Sequence, residues 1–380
     1  MSKKILKTKQ DCIDFLTGLK LLGTGGGGSM TTGMELLTKA LDEGLTLSWI
    51  DAAELPEDTF TCTAFSSGSI SAGRPESESD ISELGKKLGM ENKFGLRAAE
   101  MAVKELEKYS GVKVGALVPV ELGAANAPAP MVVAARLGIS LIDGDYSGRA
   151  VPQEMQTTYF LKDYSITPAV VTDWWGDIIV IKEGSAAMVE RLGKMMAIAS
   201  YGAVYFASVL LSAKDTRETI VPGTLSLSYE LGKAVHKAVK SGQNPVTKII
   251  EQLDGWKLFS GVVTGKEWED KEGAMAGTTH IRGTGVDEGH TMDIWFLNEN
   301  HIAWLDGEPY VFSPDLIINV NPNTGEGYSN TELKEGDPVA VIGCKINPVF
   351  RSEKAITYFG PRFWGFDFDY KPIEEIMTRR

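Results

Sequence analysis

Two short polar segments each follow an apolar run. "PVELGAANAPAP" (119–130) places Glu121 and Asn126 directly after "VKVGALV", and "DGDYSGRAVPQEMQTT" (143–158) places Asp143 and Asp145 directly after "ISLI". If the two apolar runs are neighbouring parallel strands, their carboxyl ends deliver Glu121, Asn126, Asp143 and Asp145 to one sheet edge, where ligands bind in open α/β sheets. Carboxylates gathered this closely repel one another. They stay ionised together only beside a cation, and otherwise one keeps its proton. The first outcome makes a metal site and the second a general acid, so Glu121, Asp143 and Asp145 are the candidate catalytic and metal-holding residues. Asn126 and Arg149 are candidates for orienting a substrate, and Glu154 and Gln156 follow closely enough to line the same edge. The plainer reading is that Asp143 and Asp145 brace a turn, Glu121 is an ordinary surface residue, and Asn126 caps the helix that starts near Pro128.

A second stretch needs a reason of its own. "LGTGGGG" (22–28) has glycine at five of the six positions 23–28, and glycine loses the most backbone freedom on folding. The run joins two helices, about 9–22 and 32–43, and ends at the start of the second, where closely spaced N–H groups make an anion site. It lacks the Lys-Ser/Thr ending of a P-loop and does not follow a strand, so neither nucleotide reading holds. Thr24, Gly25, Gly26, Gly27 and Gly28 are therefore candidate substrate-binding residues. The small-residue loop "SSGSISAG" (66–73) follows another strand and reaches toward the same edge.

The four histidines add little. His236 lies in an amphipathic helix and reads as structural. His280, His290 and His301 fall in a strand-rich region and are reserve metal ligands, since two on neighbouring strands can face each other. No H-x-x-x-H or His-Cys spacing supports them. Cys12, Cys62 and Cys344 are far apart, form no disulfide framework and show no sign of an activated thiolate.

These residues need a scaffold. Residues 1–168 read as an α/β domain. It holds helices at 9–22, 32–43 and 94–109, strands at "LTLSWID", "TFTCTAF" and "VKVGALVPVEL", a proline-started helix "APAPMVVAARLG" and a short buried strand "ISLIDGD". The last three elements make a parallel βαβ unit. Residues 169–380 read as a β-rich α+β domain, sandwich- or barrel-like, with inserted helices. A hairpin turns near Trp175-Gly176-Asp177, helices cover about 188–200 and "TLSLSYELGKAVHKAV", and short strands alternate with turns from Trp256 onward. With 380 residues, a net charge of −13 and 43% hydrophobic residues, the chain is an acidic globular protein. Its charge argues against nucleic acid, which needs clustered Lys and Arg. No apolar run is long enough to span a membrane, and the N-terminus has no signal-peptide segment. A cytoplasmic homo-oligomer acting on a small molecule is the expectation.

The segments "LGTGGGGS", "PVELGAANAPAP", "DGDYSGRAVPQEMQTT", "NENHIAW", "SPDLI" and "FGPRFWGFDFDYKP" together resemble the S-methyl thiohydantoin desulfurase family, from about Asp11 to about Pro372. Where that family commonly has two glycines before the asparagine, this chain has Ala124-Ala125. Where it commonly has Asp-Ala-Asp, this chain has Asp143-Gly144-Asp145, and a proline common near Ser29 is missing. The resemblance implies a hydrolase that removes a sulfur substituent from C2 of a five-membered S-methyl-thiohydantoin ring, giving a hydantoin and a thiol. It also implies a divalent metal, zinc in the first place, and a functional link to hydantoinase and oxoprolinase proteins. The competing expectation is a non-catalytic small-molecule-binding subunit that works with a hydantoinase-type partner.

Overall fold

The computed structural model describes residues 4–68, 78–90, 93–271 and 273–378. Its first half is built on a six-stranded mixed sheet. The strand Phe60–Gly68 pairs in parallel with Val114–Leu117, which pairs in parallel with Ser140–Leu141 (Ala116 opposite Ser140, Leu117 opposite Leu141). The helix Pro128–Leu137 links the last two strands. Proline at its first position suits the fixed φ there, and Gly138, at φ 71°, ends it in the left-handed conformation that glycine adopts without a Cβ penalty. The expected parallel βαβ core is therefore present.

The change of pattern at Pro168 marks a switch in pairing within this sheet. The hairpin Ala169–Thr172 and Ile178–Ile181 turns at the expected Trp175-Gly176-Asp177, and it joins the sheet through Ala203–Ser212, which runs antiparallel to the whole of Phe60–Gly68. The second half is β-rich, as its alternating strands and turns suggest. It is an open antiparallel sheet of seven strands between Trp256 and Cys344, curved as a half-barrel.

Helices join the two sheets. Lys9–Leu22 starts with a capping box, Thr8 with Asp11, and buries Phe15, Leu16 and Leu19. It crosses Thr224–Lys240 very closely. A Cβ on Gly18 would fall 1.8 Å from the Ser228 carbonyl oxygen, and one on Gly232 would fall 1.8 Å from the Asp14 carbonyl oxygen. Only glycine permits that approach. His236 on the second helix bonds Asp14 across the crossing, Nδ1 to Oδ1 at 2.6 Å, which is the structural role read for it. Among the described residues, no helix is long and apolar enough to cross a membrane.

Candidate active site

The parallel strands end at a cavity of about 240 Å³. Val120, Glu121 and Asn126 form one wall, after the strand Val114–Leu117. Pro152, Gln153 and Glu154 form a second, after the turn that follows Ser140–Leu141. Ser66, Ser67 and Gly68 close the end of the central strand, and Glu190 and Lys194 reach in from the helix Ala186–Ala199. Asn298 and the Gly273–Ala274 turn of the second sheet complete the enclosure. Of the small-residue loop 66–73, positions 66–68 thus reach the expected edge, and positions 69–73 lie outside the described residues.

Glu121 is held from both sides. Its Oε2 accepts the Val151 N–H at 2.6 Å, and its Oε1 accepts a short hydrogen bond from the Asn126 amide. Burial nonetheless pushes its carboxyl up to about 7, against the pull of these donors. Glu154 lies across the cavity wall. The Tyr159 hydroxyl donates to its Oε2, and its backbone N–H donates to Glu190 Oε2 at 3.3 Å. Burial, then the charges of Glu190 and Glu121, push the Glu154 carboxyl up to about 8. Lys194 offsets Glu190 directly, with Nζ 2.8 Å from Oε1. The cavity therefore holds two carboxyl groups that titrate near neutrality, beside an ion pair.

The other predicted carboxylates turn elsewhere. Asp143 accepts the Ser226 N–H at 2.9 Å and the Ser226 hydroxyl, tying the strand end to the first turn of the helix Thr224–Lys240. Asp145 is fully buried. Its Oδ2 takes the Ser147 N–H at 3.0 Å, the Ser147 hydroxyl at 3.0 Å and the Gly148 N–H at 2.7 Å, and burial pushes the group up to about 6. Neither lines the cavity. Asp145 braces its own turn, while Asp143 caps a helix from far along the chain, and the charge of Asp145 still raises Glu121. Gln156 donates to the Tyr358 carbonyl at 3.0 Å and also stays outside.

The glycine run approaches protein. A Cβ on Gly26 would fall 1.8 Å from Glu299 Oε1, and one on Gly27 would fall 2.5 Å from the Gly123 Cα. The Thr24, Gly25 and Gly27 carbonyls accept N–H groups of Asn300, Asn330 and Ala125 at 2.8, 2.8 and 3.0 Å. The loop packs against the chain just after Glu121 and joins it to the second sheet, and none of Thr24–Gly28 lines the cavity. Arg149 fastens the same joint. It is wholly buried, and its guanidinium donates to the Ala150, Pro314, Asp315 and Asn300 carbonyls and to Thr24 Oγ1, at 2.8–3.3 Å. All of its donors point at protein groups, and it stacks 5.2 Å from the Phe359 ring centre.

The reserve histidines are dispersed. His280 pairs with Asp293 at 2.7 Å across neighbouring strands, and the exposed His290 pairs with Asp306 at 2.6 Å just beyond the strand ends. His301 is fully buried against Trp364, with ring centres 4.1 Å apart, and burial holds it neutral, well below its ordinary pKa. Among the described residues, no group of three His, Cys, Asp or Glu side chains could hold a metal ion. With both Asp143 oxygens given to Ser226 and Oδ2 of Asp145 given to Ser147 and Gly148, the residues expected to bind the implied metal do not fit it as a common ligand set.

Sequence reasoning singled out Glu121, Asn126 and Glu154, which share the cavity, and missed Glu190 and Lys194. A signal for the missed pair exists: Glu190 and Lys194 are opposite charges four residues apart in the largely apolar segment "AAMVERLGKMMAIA".

A family model described as "S-Me-THD-like, N-terminal domain" matches residues 10–183, and one described as "S-Me-THD-like, C-terminal domain" matches residues 184–373. Among solved structures, the crystal structure of a protein from Chromobacterium violaceum is similar at a TM-score of 0.77 and 20% identity, covering 98% of this chain and 100% of that one. That likeness extends to the fold. No curated protein matches this chain.

Proposed function

The chain belongs to the S-Me-THD-like family, and on that premise we propose that it hydrolyses a five-membered S-methyl-thiohydantoin, with Glu121 and Glu154 as the catalytic pair. The observation that supports this reading is the cavity itself, where two carboxyl groups are pushed to about 7 and about 8. Catalytic acids and bases work best when their pKa lies near the operating pH.

At neutral pH, Glu154 keeps its proton and Glu121 is partly ionised. Glu121 takes a proton from a water molecule as the water oxygen bonds to C2 of the ring. Glu154 gives its proton to the adjoining ring nitrogen, which receives the electrons of the C=N bond. The C2–S bond then breaks and methanethiolate departs. As the carbonyl forms, the ionised Glu154 takes the proton of the C2 hydroxyl, and Glu121 passes its proton to the methanethiolate. The water oxygen stays on C2, the ring nitrogen and the thiol each gain a proton, and both carboxyl groups return to their starting state. Thiolate is a good leaving group, so one acid and one base suffice. Asn126 holds Glu121 from its side and exposes the rest of its amide to the cavity, where it can orient a ring carbonyl. Asp145 and Arg149 act on Glu121 through their charge. No step is routed through a metal.

The test is turnover by the purified chain alone on a panel of S-methyl-thiohydantoins and hydantoins, with released thiol measured by a colorimetric reagent. Thiol release by the native chain and its loss in Glu121→Gln and Glu154→Gln support the reading. Ring binding without turnover, until a hydantoinase-type protein is added, would establish the binding-subunit alternative instead.

A further inference from the structure

Part of the cavity wall is apolar. Phe65 and Phe206 line it from neighbouring strands, opposite each other in register, and Ile166 and Val189 line it with them. The two rings stack, with centres 4.9 Å apart and planes 3° from parallel. Gly193 decides where that pair lies. It sits inside the helix Ala186–Ala199, where glycine is a poor helix former. A Cβ there would fall 2.1 Å from Cζ and 2.5 Å from Cε2 of Phe206. The bare backbone lets the Phe206 ring press against the helix. One added carbon would drive the ring away, and Phe65, stacked on it, would carry the shift into the cavity.

We infer that the Phe65–Phe206 pair receives the group carried by the ring sulfur of the substrate, and that Gly193 sets how large that group can be. This assignment rests on the hydrolysis proposed above and adds which wall takes which part of the substrate. The ring nitrogens and carbonyl are hydrogen-bonding groups, and Glu121, Glu154 and Asn126 meet them on the polar wall. The methylthio group makes no strong hydrogen bond, and every substrate of the reaction carries it. Divalent sulfur is favoured near an aromatic ring, about 5 Å from it and often at its edge. The cavity, about 240 Å³, is smaller than the ~300–1,000 Å³ of pockets for drug-sized ligands. An extra carbon on sulfur would therefore meet the stacked rings and not open space. Gly193 is a positioning residue, acting through Phe206.

The full chain is tested with S-methyl-, S-ethyl- and unalkylated 2-thiohydantoins that share one C5 side chain. Calorimetry reads binding, and the thiol reagent reads kcat and KM for the S-alkyl rings. The native chain is expected to favour S-methyl over S-ethyl by about 10–200-fold, the range for one methylene in an apolar pocket. Phe65→Ala opens the wall and is expected to erase that preference. Gly193→Ala narrows it and is expected to weaken S-methyl binding by about tenfold or more, while the unalkylated ring keeps its affinity. Adding Phe206→Leu to that variant shortens the displaced ring and should restore S-methyl binding, a rescue that a disrupted helix would not give. Phe65→Ala, on the strand, keeps the test decisive if Gly193→Ala does not fold.

Equal affinity of the native chain for the S-methyl and S-ethyl rings overturns the inference. So does a preference that Phe65→Ala leaves unchanged. Selective binding without thiol release leaves the inference standing and overturns the reaction, and thiol release without selectivity does the opposite. A native chain that binds none of the rings overturns both.

Discussion

Arg149 and Glu154 lie five residues apart on one loop, the first wholly buried and the second half-buried at a cavity wall, and their surroundings differ in kind. The guanidinium of Arg149 is matched donor for donor by four carbonyls and a hydroxyl, and it stays charged although burial pulls it down to about 10. Glu154 faces a cavity, accepts from Tyr159, and sits near two other carboxylates that raise its pKa. A buried charge with every partner supplied by the fold is part of the architecture. An acid opening onto a cavity, with like charges nearby, has a proton to give. The opening onto the cavity and the count and nature of the partners separate the two cases.

Substitution should break this contrast most sharply at the cavity. Glu121→Gln and Glu154→Gln should each lower kcat for thiol release by about 10²–10⁴, with the melting temperature held or raised. Retained activity in both variants removes the pair from the reaction.

Arg149→Met should do the reverse. Its carbonyl partners and Thr24 lose their donors in a dry joint, so urea denaturation should show a loss of about 3–5 kcal/mol. The fraction that stays folded should keep its KM. A raised KM without a stability loss would instead place Arg149 on the substrate.

The glycine joint should answer like Arg149. Gly26→Ala drives a Cβ into Glu299, and Gly27→Ala adds a left-handed φ of 80° to a collision with Gly123. Each should cost about 1–3 kcal/mol by thermal or urea unfolding. A loss of ring binding in a variant of unchanged stability would return the loop to the binding site.

The pH dependence of stability sharpens the comparison from the other side. Glu121, Glu154 and Asp145 bind their protons more tightly folded than unfolded, because burial raises each. Between the ordinary carboxyl range and about 8 the folded state therefore holds more protons, and stability falls as pH rises. The melting temperature should drop from pH 5 to pH 8.5, and Glu154→Gln should flatten the upper part of that fall. An equal slope in the variant would show that Glu154 ionises freely.

The smallest effect belongs to the bracing aspartate. Asp143→Asn should cost about 1 kcal/mol, the scale of a weakened helix cap, with activity kept when assayed well below the melting temperature.

Local pattern made much of the scaffold legible. Alternation and apolar runs place the strands that end before Glu121 and Asp143, and "APAPMVVAARLG" with its proline start and glycine stop places the helix between them. That Glu121, Asn126 and Glu154 meet at one edge follows from two parallel strands being adjacent, which chain order favours. Beyond Pro168 the chain stays with the same sheet, through the hairpin 169–181 and then the strand Ala203–Ser212. The partner of Ala203–Ser212, Phe60–Gly68, carries no trace of that pairing in its own residues.

What only the tertiary structure decided is where each side chain points and what answers it. Asp143 turns to Ser226, 83 positions away. Gly26 meets Glu299, and Lys194 arrives at the cavity from a helix to which the sequence assigned no part in the site. A motif such as Asp-Gly-Asp has the same local conformational preferences whether its carboxylates cap a helix or line a cleft. The choice is made by donors that folding brings in from far along the chain.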